Sequence, residues 1–375
     1  MKRMKRMKRM KRKCLLAVMS LWLAMTLSAC GKQALEEPVV VGQSTVAESK
    51  EVQTEQNTGT GETETKEDTP HKTQESESTH QGLKYGFADA KEGAAYIKAN
   101  KDYLEGLTQN DLDFRMQKKD ATLEEYIAFA EQQVRDFTEK EKEGISACMQ
   151  SIWEICEKNQ YTLPDIGEVT FVKTTMQEEA GATAYTHGTH IYVGEGLISF
   201  LSSNDQWARD YGTTILVHEL FHCLTRNDAG FREDMYGIIG FSIQEEEFAF
   251  TKEVREQMLS NPDVGKHNSY ATFRIDGKDR ECVVVLASTR PFQKSGDNMF
   301  NLMMVGLVPL DDLSVMYPSD SAENFWEVFG RNTDYVIDPE EALADNFSYA
   351  VMYGVNGMSY PSPEIIQEIC DYLKR

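Results

Sequence analysis

The chain has 375 residues, of which 41% are hydrophobic and 10% aromatic, with 39 Lys+Arg against 61 Asp+Glu. That composition excludes a collagen-like, a fully disordered and a multi-span membrane protein, and leaves one large domain or two small ones. Nine of the basic residues fall in the first 13 positions, so the chain beyond Ala29 carries 30 bases against 61 acids, a body that repels nucleic acid.

In chain order, Met1–Lys13 is a basic run, Cys14–Leu27 is apolar, and small residues follow. Basic, apolar, then small is the layout of an export signal. The apolar part is too short to span a bilayer, which takes roughly 20 residues. Leu27-Ser28-Ala29-Cys30-Gly31 resembles a bacterial lipobox. The resemblance implies a signal peptide over 1–29, lipid on Cys30, and an extracytoplasmic domain anchored to a bacterial membrane. The repeated Met-Lys-Arg triplets leave Met1, Met4, Met7 and Met10 as alternative starts. Residues 30–82 read as an acidic tether, rich in Thr, Glu, Gln and Ser, with no aromatic residue to build a core. As a flexible coil it reaches roughly 40 Å.

From residue 83 the composition turns globular. Thr122 with Glu125, and Thr138 with Glu141, have the spacing of capping boxes, so the first part is expected to be helical through about Asn159. Cys148 and Cys156 share an apolar stripe with Ile145, Met149, Ile152 and Ile155, which makes them core residues of an amphipathic helix. Glu168–Thr174 and Ala182–Val193 read as strands. A short helix is expected near Gly194–Ser202 and a longer one over Asp205–Arg226. Ser269–Ile275 and Glu281–Ala287 suggest a hairpin around Asp276-Gly277. Pro339–Tyr353 and Pro363–Lys374 read as helices, each with Pro at its first position. Helices, then strands, then helices again give an α+β class. Five cysteines remain in the body, an odd number without tight spacing, which argues against a disulfide framework.

The stretch with chemistry in it is His218-Glu219-Leu220-Phe221-His222, inside the expected Asp205–Arg226 helix. Two imidazoles four apart leave a helix on one face and can grip one Zn²⁺ at about 2.0–2.1 Å each. Glu219 is one step round, in reach of a metal-bound water as its general base. The flanking Ile215, Leu216, Val217 and Leu220 bury the helix, so the two imidazoles would be poorly hydrated without a partner.

Together with the preceding strand and the later Glu341-Ala342-Leu343-Ala344-Asp345, this segment resembles a gluzincin, the thermolysin-type class of zinc metallopeptidases with HExxH on one helix and ExxxD on another. The resemblance implies a zincin-like domain over 83–375, with His218, His222 and Glu341 as zinc ligands and Glu219 as the catalytic base. It also implies Asp345 as the residue that orients a ligand ring, and peptide or protein as substrate. Glu341 comes 119 positions after His222, so a long insertion, roughly Phe231–Val336, must fold between the two helices. No His follows Glu341, and Tyr349, with Tyr353 behind it, is the candidate transition-state donor.

Other readings remain open at this level. Glu341 also fits the third position of a capping box opened by Asp338. Asp228, ten after His218, then becomes the alternative third ligand, although the chain has Thr225 where a metzincin turn needs Gly. Glu245-Glu246-Glu247 reads as a solvated helix face, His187 and His190 as cleft-wall or surface residues, and His267 as a loop residue. The rival function is a surface binding lipoprotein with a structural or inactive zinc site.

Overall fold

The computed structural model describes residues 84–375. The signal peptide, Cys30 and the tether expected before them lie outside the described residues.

The chain opens with strand β1 (Lys84–Phe87) and helices α1 (Ala90–Ala99), α2 (Lys101–Gly106), α3 (Gln109–Met116) and α4 (Leu123–Glu131). A two-residue strand β2 (Val134–Arg135) leads to the long α5 (Glu139–Asn159). Both expected capping boxes are present: Thr122 opens α4 with Glu125, and Thr138 opens α5 with Glu141. Asp89 and Thr108 form two more, at the starts of α1 and α3. On α5 the residues Ile145, Cys148, Met149, Ile152 and Cys156 are buried as one stripe.

The first part is not purely helical, because β1 pairs in parallel with β3 (Glu168–Thr174) and β2 pairs antiparallel with it. Four residues are too few for an alternating pattern. It is tertiary packing, with Phe87 stacked on Phe171 at 5.7 Å, that makes Lys84–Phe87 a strand. Ala182–Val193, expected as one strand, is a hairpin of β4 (Ala184–His187) and β5 (His190–Gly194). Gly188, at φ 61°, supplies the left-handed turn between them. The sheet order is β1-β3-β5-β4, so β4 is an edge strand.

This sheet is covered on both faces, and its side chains alternate accordingly. Val169, Phe171, Ile191 and Val193 join the main core, while Val172, Tyr185 and Tyr192 pack with residues of α1, α3 and α4.

Next come α6 (Glu195–Leu201), α7 (Gln206–Asn227) and α8 (Ala229–Ile238). The expected insertion then carries β6 (Ser242–Ile243), α9 (Lys252–Arg255), β7 (Ser269–Ile275), β8 (Lys278–Ser288), α10 (Met299–Leu302), β9 (Met303–Pro309) and β10 (Tyr317–Pro318). These strands form a second, antiparallel sheet in the order β10-β9-β8-β7-β6. The β7–β8 hairpin turns at Asp276 and Gly277, both with positive φ, as a tight two-residue hairpin requires. Glu245–Glu247 is an exposed irregular segment rather than a helix face.

The chain closes with α11 (Phe325–Phe329), α12 (Pro339–Gly357) and α13 (Pro363–Tyr372). Gly354 leaves the helical region at φ 58°, so the regular part of α12 ends at Tyr353, as expected. The class is α+β. α12 packs along α7 and α13, with the Phe347 ring 5.2 Å from that of Phe221. Among the described residues no helix is long and apolar enough to cross a membrane.

Candidate metal centre

The α7–α12 contact brings the singled-out residues together. Asp205 caps α7, and the helix buries every residue from Ile215 to Thr225, so the imidazoles of His218 and His222 leave one face into the protein interior. Their ring centres are 4.8 Å apart. From α12, Glu341 Oε2 lies 3.0 Å from His218 Nε2 and 3.6 Å from His222 Nε2. One ligand atom from each of His218, His222 and Glu341 lies within 4.8 Å of the others. Asp338 caps the first turn of α12 through Glu340 N, and the Glu341 carboxylate turns inward to the histidines rather than back to the cap.

Each ring is held from behind by a carboxylate. Asp345 Oδ1 is 2.9 Å from His218 Nδ1, and Glu340 Oε1 is 3.0 Å from His222 Nδ1. Thr333 donates to Asp345, while Thr225 and Tyr236 donate to Glu340. Such pairs orient the two rings, with Nδ1–H toward the carboxylate and Nε2 directed inward.

Asp228 does not join the cluster, because its carboxylate accepts from Phe231 N as the N-cap of α8. His187 is buried beside Tyr103, and His190 stacks on Tyr96. His267 contacts Glu247 in a loop. Tyr349 donates to Asp345 at 3.5 Å, and Tyr353 pairs with Thr214.

Glu219 accepts from the Thr186 hydroxyl at 2.8 Å, so the edge strand β4 holds it in place. Asn261 Nδ2 donates to Glu341 Oε1, and Asp263 forms a second close group with Glu219 and His222. Tyr335 lies with its ring centre 6.2 Å from that of His218. Glu340, Thr186, Asn261, Asp263 and Tyr335 went unread in the sequence. An acid in a first helical turn is ordinary, and Asn-Pro-Asp reads as a plain turn.

The electrostatics follow from burial among like and unlike charges. Burial opposes protonation of His218, but its bonds to Asp345 and Glu341 outweigh that and lift its pKa to about 10. His222 is raised against burial by Asp263, Glu340 and Glu341. Glu341 is held low, against its own burial, by the two histidines. Glu219 is pushed up, chiefly by burial. The site is thus an anionic pocket that favours positive charge.

A divalent cation fits this donor set. His222 Nε2 is fully buried with no hydrogen-bond partner, and it faces a carboxylate just outside hydrogen-bonding reach. A buried ring nitrogen left without a hydrogen bond in that position costs free energy, and a cation bound there would remove that cost. Two imidazoles and one carboxylate, each ring backed by a further carboxylate, are donors that a divalent metal ion can take. No family model matches the chain, and neither a curated protein nor a solved structure matches it.

Proposed function

We propose that the chain is a zinc-dependent peptidase of gluzincin type, with a zincin-like domain carried on a lipid-anchored extracytoplasmic protein. The observation that carries this reading is the convergence of His218, His222 and Glu341, one ligand atom of each within 4.8 Å of the others, with Glu219 beside them. His218, His222 and Glu341 would hold the ion. When bound, Zn²⁺ supplies Lewis acidity toward the scissile carbonyl and lowers the pKa of a coordinated water.

The protein's own groups do the rest. Asp345 and Glu340 keep the two rings oriented with Nε2 inward. Thr186 holds the Glu219 carboxylate toward the centre. Burial raises the affinity of Glu219 for a proton, which suits a base working near neutrality. Glu219 takes the proton of the attacking water and returns it to the leaving amine nitrogen as the C–N bond breaks. Tyr335, whose phenol is kept protonated by burial and by the surrounding carboxylates, would donate to the carbonyl oxygen as charge develops on it. It takes the role that the sequence suggested for Tyr349 or Tyr353. Anchoring through Cys30 rests on the lipobox-like segment, and the substrate would be a peptide or protein reaching that membrane face.

Metal analysis of the full chain tests the reading. One zinc per chain is expected in the wild type and in Asp228→Ala, and none in Glu341→Ala. Glu219→Gln should keep its zinc and lose peptide hydrolysis by at least about a hundred-fold. A wild-type protein that binds no zinc, or a fully active Glu219→Gln, overturns it.

A further inference from the structure

A cleft of about 920 Å³ opens between α2, the β4–β5 turn, the end of α7, α8 and residues 243–268. That volume falls in the range of small-ligand sites. The zinc and base assignment gives the cleft no part, since none of His218, Glu219, His222 and Glu341 lines it.

Two of its wall residues are left unsatisfied by the protein. Arg226, near the end of α7, is half-buried. Among the described residues it has no ion pair and one hydrogen bond, from Nη2 to Pro262 O at 3.1 Å. Carboxylates are not scarce in a chain with 61 acids, and several other arginines removed from solvent find them. Arg115 pairs with Asp111 and Glu179, Arg280 with Asp311, and Arg290 with Asp297. Arg232, in the same wall, is taken up by the Tyr236 ring beneath it and by Asn268. The place of the Arg226 side chain is set by close packing, because a Cβ on Gly265 would meet its Nε at 3.0 Å.

The second residue is His187 of β4. It is buried, it lines the cleft, and its Nδ1 has no hydrogen-bond partner. A buried ring nitrogen in that state costs free energy until something pairs with it. Burial, then the charges of Arg226 and His190, hold its pKa well below the usual imidazole range. The ring is therefore neutral, at a place where Arg226 makes the potential positive.

We propose that this part of the cleft binds a carboxylate, taken by the Arg226 guanidinium with His187 as second donor, and supplied by a small organic acid or an acidic side chain of a peptide. A planar carboxylate matches the fork of a guanidinium. Its negative charge would raise the proton affinity of His187, the reverse of what Arg226 does, and so give Nδ1 a hydrogen to donate. A phosphate carries more charge and fits less well, because Asp102, Glu233, Glu245 and Glu247 stand exposed around the same cleft. Those exposed acids are screened by salt more than the half-buried guanidinium is. Glu340 also lines the cleft, but His222, Thr225 and Tyr236 engage its carboxylate. The inference stands apart from the zinc reading.

Calorimetric titration of the full chain tests it, with four probes. They are glutarate, a capped alanine peptide with one central Glu, the same peptide with Gln, and inorganic phosphate. Glutarate, the Glu peptide or both should bind at one per chain. Binding of glutarate alone assigns the site to a small acid, and binding of the Glu peptide alone assigns it to a peptide side chain. Affinity should fall at least about ten-fold in Arg226→Gln, as loss of a charge-assisted pair implies. It should fall less in Arg226→Lys, which keeps the charge and serves if the Gln variant fails to fold. Arg209→Gln should not change it, since Arg209 is half-buried without an ion pair and lies outside the cleft. Glu341→Ala should also bind as the wild type does. Loss of binding in Glu341→Ala would place the carboxylate on the metal centre and overturn the inference. So would equal binding of the Gln peptide, tighter binding of phosphate, unchanged affinity in Arg226→Gln, or no binding of either carboxylate. A chain that takes no zinc but binds glutarate through Arg226 would remove the peptidase reading and leave this one standing.

Discussion

Asp345 and Glu340 do comparable work for the two histidines but differ in exposure. Asp345 is partly open to solvent, whereas Glu340 is buried under Thr225 and Tyr236. Replacing either leaves the inward-facing nitrogens of the proposed metal centre in place and removes what orients them. Zinc affinity, read by chelator competition, should fall about 10–100-fold in Asp345→Asn and in Glu340→Gln. The larger loss belongs to Glu340→Gln, because the amide must also satisfy two buried hydroxyl donors. Equal affinity in all three proteins would mean that the carboxylates serve only the fold. At this scale the sequence was readable where a motif has fixed spacing. His218, Glu219, His222, Glu341 and Asp345 all fall in one site. Asp263 and Thr186 were not readable, since they enter from a turn and a strand edge whose place depends on how two sheets and α3 pack.

For the elements, the site is the contact between α7 and α12, and aromatic packing sets their distance. Phe347 is fully buried, with Phe221 at 5.2 Å and Phe231 at 6.0 Å. Phe347→Ala should cost about 3–5 kcal/mol in urea unfolding and weaken zinc binding as well, although Phe347 is not among the ligand groups. A variant that loses stability while its zinc affinity stays unchanged would show that the metal centre does not depend on this packing.

The helices were legible because their signals are local: caps at Thr122, Thr138 and Asp205, the Pro339 and Pro363 starts, and apolar stripes of helical period. Strands were less so. The Ala182–Val193 run has the same residue types before and after Gly188, and only the positive φ of that glycine, which composition does not specify, divides it into two strands. β1 is four residues whose identity as a strand comes from a partner about 80 positions away.

On the scale of the molecule, the N-terminal helices meet the segment Gln177–Glu179 through buried charge, with Arg115 of α3 paired to Glu179. Glu178, next to Glu179 of the Arg115 network, has one buried oxygen without a partner, and burial lifts its pKa from 4.5 to about 7. A carboxyl whose folded pKa is raised stabilises the fold fully below about pH 4.5, and that contribution is lost as pH rises through about 7. Glu178→Gln should therefore flatten the fall in stability between those values. Unfolding in urea should find it more stable than the wild type at about pH 8 by an amount of order 3 kcal/mol, and little changed at about pH 4. Matching pH profiles would remove Glu178 from the account.

The separation of the ligands in the chain has its own result. His218 and Glu341 are 123 positions apart, and the whole second sheet lies between them. The HELFH helix is complete long before its carboxylate partner is synthesised, and closing so long a loop carries an entropy cost that local helix formation does not. The His218–His222–Glu341 cluster therefore cannot close until the chain has been made as far as α12. A chain cut short anywhere between His222 and Glu341 would keep both histidines and still lack the carboxylate that faces them.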